Sequence, residues 1–402
     1  MQTRSTRRRF LAALSSVPPA LGLVGLGGCG REASSPVPPG PGQVAGNDKV
    51  RIGYLGLTCE AAMVAAFENG FFREEALDVE FVKTDWDSLR DGLGLGRFDA
   101  NYHLIMYLLK PIEKGLDVKI TGGIHSGCLR LQAGVKSSIR SVADVKGKKI
   151  GVPTALGSPP FLFSSRVLRA AGMDPAKDVE WVAMAPDVLG LALDNGQVEA
   201  VCTADPIGSI LLSQKKVHTI ADSAVDAPYK DEYCCAVVVS GKLARERPAA
   251  AAKVTRALLK GAAWVEANPT AAARLAVEKK YVASSLEVNA HALSQLKYTP
   301  GVSRCRESVM MASREMQAIG LISPSTSPET LASTAWLDLD GVNDEWLKGV
   351  KVEKVAGGGP PPPLDAERLV SLYAGATDLR LSCDDCGSML ADDLCRRPAG
   401  LP

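Results

Sequence analysis

Ten cysteines are spread along this 402-residue chain, and two of them stand side by side. Cys234 and Cys235 open the apolar, β-branched run of EYCCAVVVSG, residues 232–241. A disulfide between chain neighbours needs a Cα separation and dihedral that a trans dipeptide supplies only with strain. The pair is therefore read as two thiols, either buried as small apolar groups or offered to a ligand or a soft metal. Near the C-terminus Cys383, Cys386 and Cys395 form C-x2-C-x8-C with no histidine nearby. Zinc and cluster sites want four ligands, and Asp384, Asp385, Asp392 or Asp393 would complete such a set only awkwardly. A disulfide such as Cys386–Cys395 is favoured over a metal. Cys305, between Arg304 and Arg306, reads as a helix-face residue. The GxSxG elbow, HExxH and P-loop patterns are all absent, as is any Ser–His–Asp arrangement.

The first residues bear on location. TRRRFLAAL (residues 6–14) carries twin arginines, an apolar stretch runs on to Leu26, and LGGC ends at Cys29. A charged head, a short apolar core and small residues before a cysteine predict a signal peptide over residues 1–29. The core is too short and too interrupted by Gly and Pro to span a bilayer. The arginine pair suggests the twin-arginine route, and LGGC resembles a bacterial lipoprotein box that would lipidate Cys29. The body is then exported and tethered to the outer face of the cytoplasmic membrane or to the cell surface. Without Cys29, nine of the ten cysteines remain. An odd set cannot all pair within one chain, so at least one thiol is free or bound to something. The formal net charge is +1 and basic residues do not cluster beyond the leader, which excludes nucleic acid as a partner.

The elements that must position these groups follow in order. Residues 30–48 are a Pro/Gly/Ser tether without a core of its own. KVRIGYLG alternates as a strand, and CEAAMVAAFENGFF repeats its apolar residues at helical spacing. Strand and helix patterns then alternate through DVEFVKT, WDSLRDGLGLG, FDANYH, LIMYLLKPIEKG and one long strand VKITGGIHSGCLRLQAGV. A second set follows through KKIGVP, SPPFLFSSRVLRAAG, DVEWVAM, PDVLGLALDNGQ, VEAVCTADP and IGSILLSQ, after which the YCC strand begins. Ala-rich amphipathic helices continue to about Leu337. Alternation of this kind builds mainly parallel sheets with right-handed crossovers. The body exceeds one comfortable core, so two lobes are expected.

The order of these segments resembles the substrate-binding lipoproteins of ABC importers, in the branch serving nitrate, sulfonates, taurine and thiamine-pyrimidine precursors. The matching residues are IGYLGLTCEAAMVAAFENGFFREEALDVEFV, LGLGRFDAN, SVADVKGKKIGVPTALGSPPFL and DNGQVEAVCTADP, so the likeness covers Val50–Leu337. It implies an α/β fold of two lobes, periplasmic-binding-protein-like of type II, each a mainly parallel sheet flanked by helices. Two crossover strands near Leu129–Val135 and Ala236–Val239 would join them. Lobe I is then 49–132 plus 237–340, lobe II 133–236, and 341–402 a C-terminal appendage. The implied role is capture of a small solute by hinge closure for a permease and an ATPase, by a monomer that needs no cofactor and catalyses nothing. Two alternatives stand beside it. Some thiamine-pyrimidine synthases resemble this branch and carry a longer cysteine cluster near the YCC position, and a solute-sensing receptor would share the fold.

Ligands of open α/β sheets sit beyond the carboxyl ends of the strands. Those ends here offer Thr58, Cys59, Glu60, Asp85, Trp86 and His103, then His125 and Cys128 at the first crossover. The second lobe offers Thr154, Ser158, Cys202 and Asp205, followed by Tyr233 and Cys234. Cys59, Cys128, Cys202 and one of the CC pair are expected to converge, because neighbours along a strand point to opposite faces. Cys59 and Cys202 could form a disulfide on closure. Asp205 is equally a helix cap and Glu60 a partner of its helix dipole; His103 and His125 could sit in the core or rim. TALGSPP suggests an anion subsite at a helix N-terminus, whereas Glu60, Asp85 and Asp205 argue for a neutral or zwitterionic organic ligand stacked on Trp86 or Tyr233. A soft metal or metal complex is a further candidate, and the residues leave the ligand open.

Overall fold

The computed structural model describes residues 48–361; the leader, Cys29, most of the tether and the C-x2-C-x8-C segment lie outside them. Two five-stranded sheets organise this span. The first has the order β2 (Leu77–Lys83), β1 (Asp48–Tyr54), β3 (Ala100–Leu104), β10 (Cys235–Ser240), β4 (Val118–His125). The second has the order β7 (Glu180–Met184), β6 (Lys149–Pro153), β8 (Ala200–Ala204), β5 (Leu129–Gly134), β9 (Val217–Asp222). In each sheet four strands run in one direction and the fourth place in the order is taken by a strand arriving from the other lobe, antiparallel to both neighbours. The alternation in β1 puts Val50 and Ile52 in the core and turns Lys49 and Arg51 outward. In β10 every residue is buried, as a central strand covered on both faces requires, and this accounts for its unbroken AVVV run.

The chain crosses between the sheets at residues 126–128 and returns over 223–234. The crossover strands expected near Leu129–Val135 and Ala236–Val239 are β5 and β10, each lying wholly in the sheet it enters. All of β5 belongs to the second sheet and all of β10 to the first, so both passages fall a few residues earlier than the boundaries at 132/133 and 236/237. The long strand anticipated over residues 118–135 is two strands, broken where Gly127 (φ 82°) and Cys128 (φ 115°) turn left-handed. Glycine adopts such an angle freely and cysteine rarely does, so Cys128 is held in place by its surroundings. The edge strand β9 carries only a weak apolar pattern, VHTIAD, and sequence reading passes over it.

Helices cover both sheets. Ala61–Glu68 and the 20-residue helix Pro248–Ala267 pack together over the first sheet, and Ser303–Ala318 lies against β4 and the helix Ile105–Glu113. Residues 341–361 are fastened to this body. Val342 joins the core, and Asp344 accepts from the backbone N–H groups of Val302 (2.7 Å) and Ser303 (3.1 Å). Farther on, the Asn268 amide bonds Glu353 and Val355. No helix among the described residues is long and apolar enough to cross a membrane.

Candidate functional site

Between the two sheets lies a cavity of about 610 Å³, walled by strand ends and helix starts of both lobes. From the first lobe come Leu57, Trp86, Leu104, Met106 and Tyr107, and from the second Leu156, Leu162, Leu189 and Ile207. Trp86 begins the helix Trp86–Gly94, whose cap is Asp85: its carboxylate accepts from the Ser88 N–H at 2.9 Å. The hydrogen bonds from Ser88 hold the Asp85 carboxyl below its ordinary pKa. Trp86 meets the His103 and Tyr107 rings edge-on, with centroids 5.1 and 5.8 Å apart.

Seven of the expected residues border this cavity: Cys59, Asp85, Trp86, Cys128, Thr154, Ser158 and Asp205. Ser158 caps the helix Pro159–Ala170, and its hydroxyl has no hydrogen-bond partner. The prolines at 159 and 160 lack N–H groups, so this helix start is poorer in donors than an anion subsite requires. Asp205 is buried and accepts from Arg130 Nη1 at 2.8 Å as well as from Ser209; Arg130 Nε donates to Asp222 at 2.9 Å. Burial opposes the guanidinium's charge, but the two carboxylates outweigh it and hold its pKa above the ordinary value.

The other seven stand elsewhere. Thr58 is buried and donates to Asn289 Oδ1 at 2.7 Å. Glu60 turns back on its own loop and accepts from the N–H groups of Leu55, Gly56 and Leu57. Burial drives its carboxyl up to about 7, the Cys59 charge adds to this, and those N–H groups pull it back. His103 is buried flat against Tyr107 at 4.9 Å, and burial, with Arg90 nearby, lowers its pKa to about 3. Cys202 faces the interior of the second lobe, where its Sγ is 3.4 Å from the Gly151 carbonyl oxygen and burial lifts the thiol to about 12. It is remote from the convergence expected of it, because β8 presents Cys202 to the helix layer behind the sheet. Tyr233 packs on Gly123, where a Cβ would meet its ring at 2.6 Å, and its hydroxyl donates to the Thr299 carbonyl. A ring so placed cannot stack on a solute in the main cavity.

Cys234 and His125 join a different group. Sγ of Cys234 is 2.9 Å from Sγ of Cys128, and both Cys234 and Cys235 lie within 4.8 Å of Cys128 and of each other. The expectation that the pair splits between two faces fails. Cys234 precedes the strand, and the ladder between β10 and β4 shifts register at Cys235/Ala236. Burial by itself lifts the Cys234 thiol, but hydrogen bonds from Cys128 and Cys235 outweigh it and hold it below the ordinary thiol value. Cys235 was the thiol that strand alternation hid; the doubled cysteine was the only signal for it.

Sequence reading also missed the tie between lobes. Arg166, on Pro159–Ala170, donates to Glu232 of the return passage at 2.9 Å and pairs with Glu315 of Ser303–Ala318. Arg90 and Lys110 likewise reach the cavity wall, each already paired: Arg90 with Asp87 (3.0 Å) and Asp91 (2.8 Å), Lys110 with Glu113 (2.6 Å).

Known proteins share this arrangement. The chain is 26% identical over 322 residues to the nitrate/nitrite binding protein NrtA of Synechococcus elongatus, covering 70% of this chain and 72% of that one. It is 25% identical over 177 residues to the nitrate import ATP-binding protein NrtC of the same organism, covering 39% of this chain and 26% of that one. Among solved structures, the alkanesulfonate-binding protein SsuA of Xanthomonas axonopodis pv. citri, bound to MOPS, superposes with a TM-score of 0.60 at 19% identity, over 73% of this chain and 99% of that one. At that identity the likeness concerns the fold alone. Residues 44–278 match the model of the NMT1-like family, more than half of the sequence, and the chain belongs to that family.

Proposed function

We propose that this chain is the solute-binding component of an ABC importer and holds a small organic molecule between its lobes without chemical turnover. The observation that carries this reading is the cavity of about 610 Å³ walled by both sheets and large enough for such a guest. Hinge motion at 126–128 and 223–234 would open it, and the Arg166–Glu232–Glu315 group would close the two lobes on a loaded cleft. A permease and an ATPase would read the closed form. Export through the leader and lipidation at Cys29 would keep the body, as a monomer, beside that permease.

The lining selects among ligands. Arg90 and Lys110 are already paired with carboxylates, and Arg130 behind the wall is matched by Asp205 and Asp222. Nitrate or a sulfonate would therefore meet no uncommitted cation among the described lining residues, and the fork that clamps such anions is missing. A neutral, mostly apolar molecule with a flat ring fits better, stacked on Trp86 with a polar end at the free Ser158 hydroxyl.

Native mass spectrometry of protein purified from its own host tests this. The expected result is a retained neutral organic guest, with Trp86→Ala weakening its binding about 10–100-fold, equivalent to about 1.4–2.8 kcal/mol. A retained inorganic anion would overturn the ligand class. Conversion of the guest to a product by purified protein would overturn the binding role.

A further inference from the structure

Where both passages between the lobes cross, five side chains with metal-binding atoms meet. Sγ of Cys59, Sγ of Cys235 and a ring nitrogen of His125 lie within 4.8 Å of one another, and so do the thiols of Cys128, Cys234 and Cys235. They arrive from distant parts of the chain: the turn after β1, the end of β4, the first passage and the start of β10. Cys59, His125 and Cys235 are 4%, 0% and 1% exposed.

His125 supplies the independent observation. Neither of its ring nitrogens has a hydrogen-bond partner. A buried polar atom left so is costly and calls for an explanation, such as an ion. The rings of Tyr102 and Tyr298 hold the imidazole from two sides, with centroids 6.2 and 5.0 Å away. Both tyrosine hydroxyls are committed to the carbonyl of Cys59, so neither serves the imidazole.

We propose that Cys59, Cys235 and His125 form a binding site for a thiophilic divalent d10 cation of the zinc class. Thiolate and imidazole are the ligands such ions prefer, and the set contains no carboxylate to favour calcium or magnesium. Metal–sulfur bonds of about 2.3 Å and a metal–nitrogen bond of about 2.0 Å place the ligand atoms roughly 3.5–4 Å apart, which the observed grouping accommodates. Charge selects the valence. Two thiolates and a neutral imidazole balance a divalent ion, whereas a monovalent one would leave a net negative charge in a buried, largely apolar place. Binding releases the Cys59 and Cys235 protons to solvent. A tetrahedral ion keeps a fourth position, and the cavity bordered by Cys59 and Cys128 is the source of a water for it.

The test uses the reduced, chelator-stripped full chain titrated with Cd(II), whose thiolate charge-transfer absorption counts cadmium–sulfur bonds, and with Zn(II) against a chromophoric chelator. One tight equivalent with two such bonds is expected. It should persist when Cys383, Cys386 and Cys395 are all replaced by Ser, and in Cys202→Ser, which alters a buried thiol outside the group. Cys59→Ser combined with Cys235→Ser should weaken it more than about 100-fold, and His125→Leu at least about tenfold. Three results would overturn the site: no tight equivalent, loss of all binding with the tail cysteines, or unchanged affinity in the double variant. The cation and the solute are read separately. Trp86→Ala should lose the organic guest and keep the ion, and Cys235→Ser, whose thiol does not border the cavity, should do the reverse.

Discussion

The strands β5 and β10 occupy the same place in their sheets: each crosses from the opposite lobe and runs antiparallel between two neighbours. Their chemistry is opposite. Arg130 on β5 is buried yet answered on both sides by Asp205 and Asp222, and Gln132 is answered by Thr203 and the Gly208 carbonyl. At the start of β10, Cys235 faces His125 across the ladder, and neither ring nitrogen of that imidazole has a hydrogen-bond partner in good geometry. A buried polar group with all its partners is fixed in one arrangement and serves the fold. One left without partners has bonding capacity to spare, and the fold gains nothing from keeping it. Topology alone therefore does not say which crossing strand carries the chemistry; the count of satisfied atoms does.

The comparison breaks most severely at Asp205. Asp205→Ala should leave the Arg130 guanidinium buried beside only Asp222, and removal of one partner from a buried pair costs about 3–5 kcal/mol. Urea unfolding should show that loss while cation binding at Cys59, His125 and Cys235 is unchanged. A loss below about 1 kcal/mol would mean that water reaches Arg130 and that the charged crossing is not the structural one.

Glu60 tests the same distinction by pH. Its folded pKa of about 7 is raised, chiefly by burial, above the ordinary carboxyl value near 4.5. The native state therefore holds this proton more tightly than the unfolded chain does. The resulting stability is complete below about pH 4.5 and is lost as pH rises through about 7. The integrated loss is about 3 kcal/mol. Stability of the wild type should fall across that window, and Glu60→Gln should flatten the fall. An equal slope in Glu60→Gln would assign the effect to other groups and return Glu60 to an ordinary ionised loop residue.

Much of this arrangement was legible in the residues. The strand and helix alternation and the ordered segments of Val50–Leu337 carried the two-lobe fold, because apolar periodicity is local and the matching steps are spelled out in sequence. Of the strand-end residues, Asp85, Trp86, Thr154, Ser158 and Asp205 border the cavity between the sheets. What failed depended on side-chain direction. Cys202 and Tyr233 sit at the right strands but point into packed interiors, and a register shift beside Cys235 undid the alternation used to divide the CC pair. The partners of Arg130 and Arg166 lie so far off in sequence that no spacing rule reaches them.

The smallest effect is the sharpest discriminator. Replacing a hydrogen-bonded buried polar side chain by an apolar one of similar size usually leaves its partners unsatisfied and costs about 1–3 kcal/mol. His125 has no such partners to strand. In metal-free, reduced protein, His125→Leu should therefore change unfolding free energy by less than about 1 kcal/mol, or raise it, since an uncompensated imidazole is removed. With Zn(II) present the wild type should gain stability by ligand linkage and the variant should not. A large loss in the metal-free variant would make His125 a packing element between Tyr102 and Tyr298. The two crossing strands would then differ in residue type but not in what they do for the molecule.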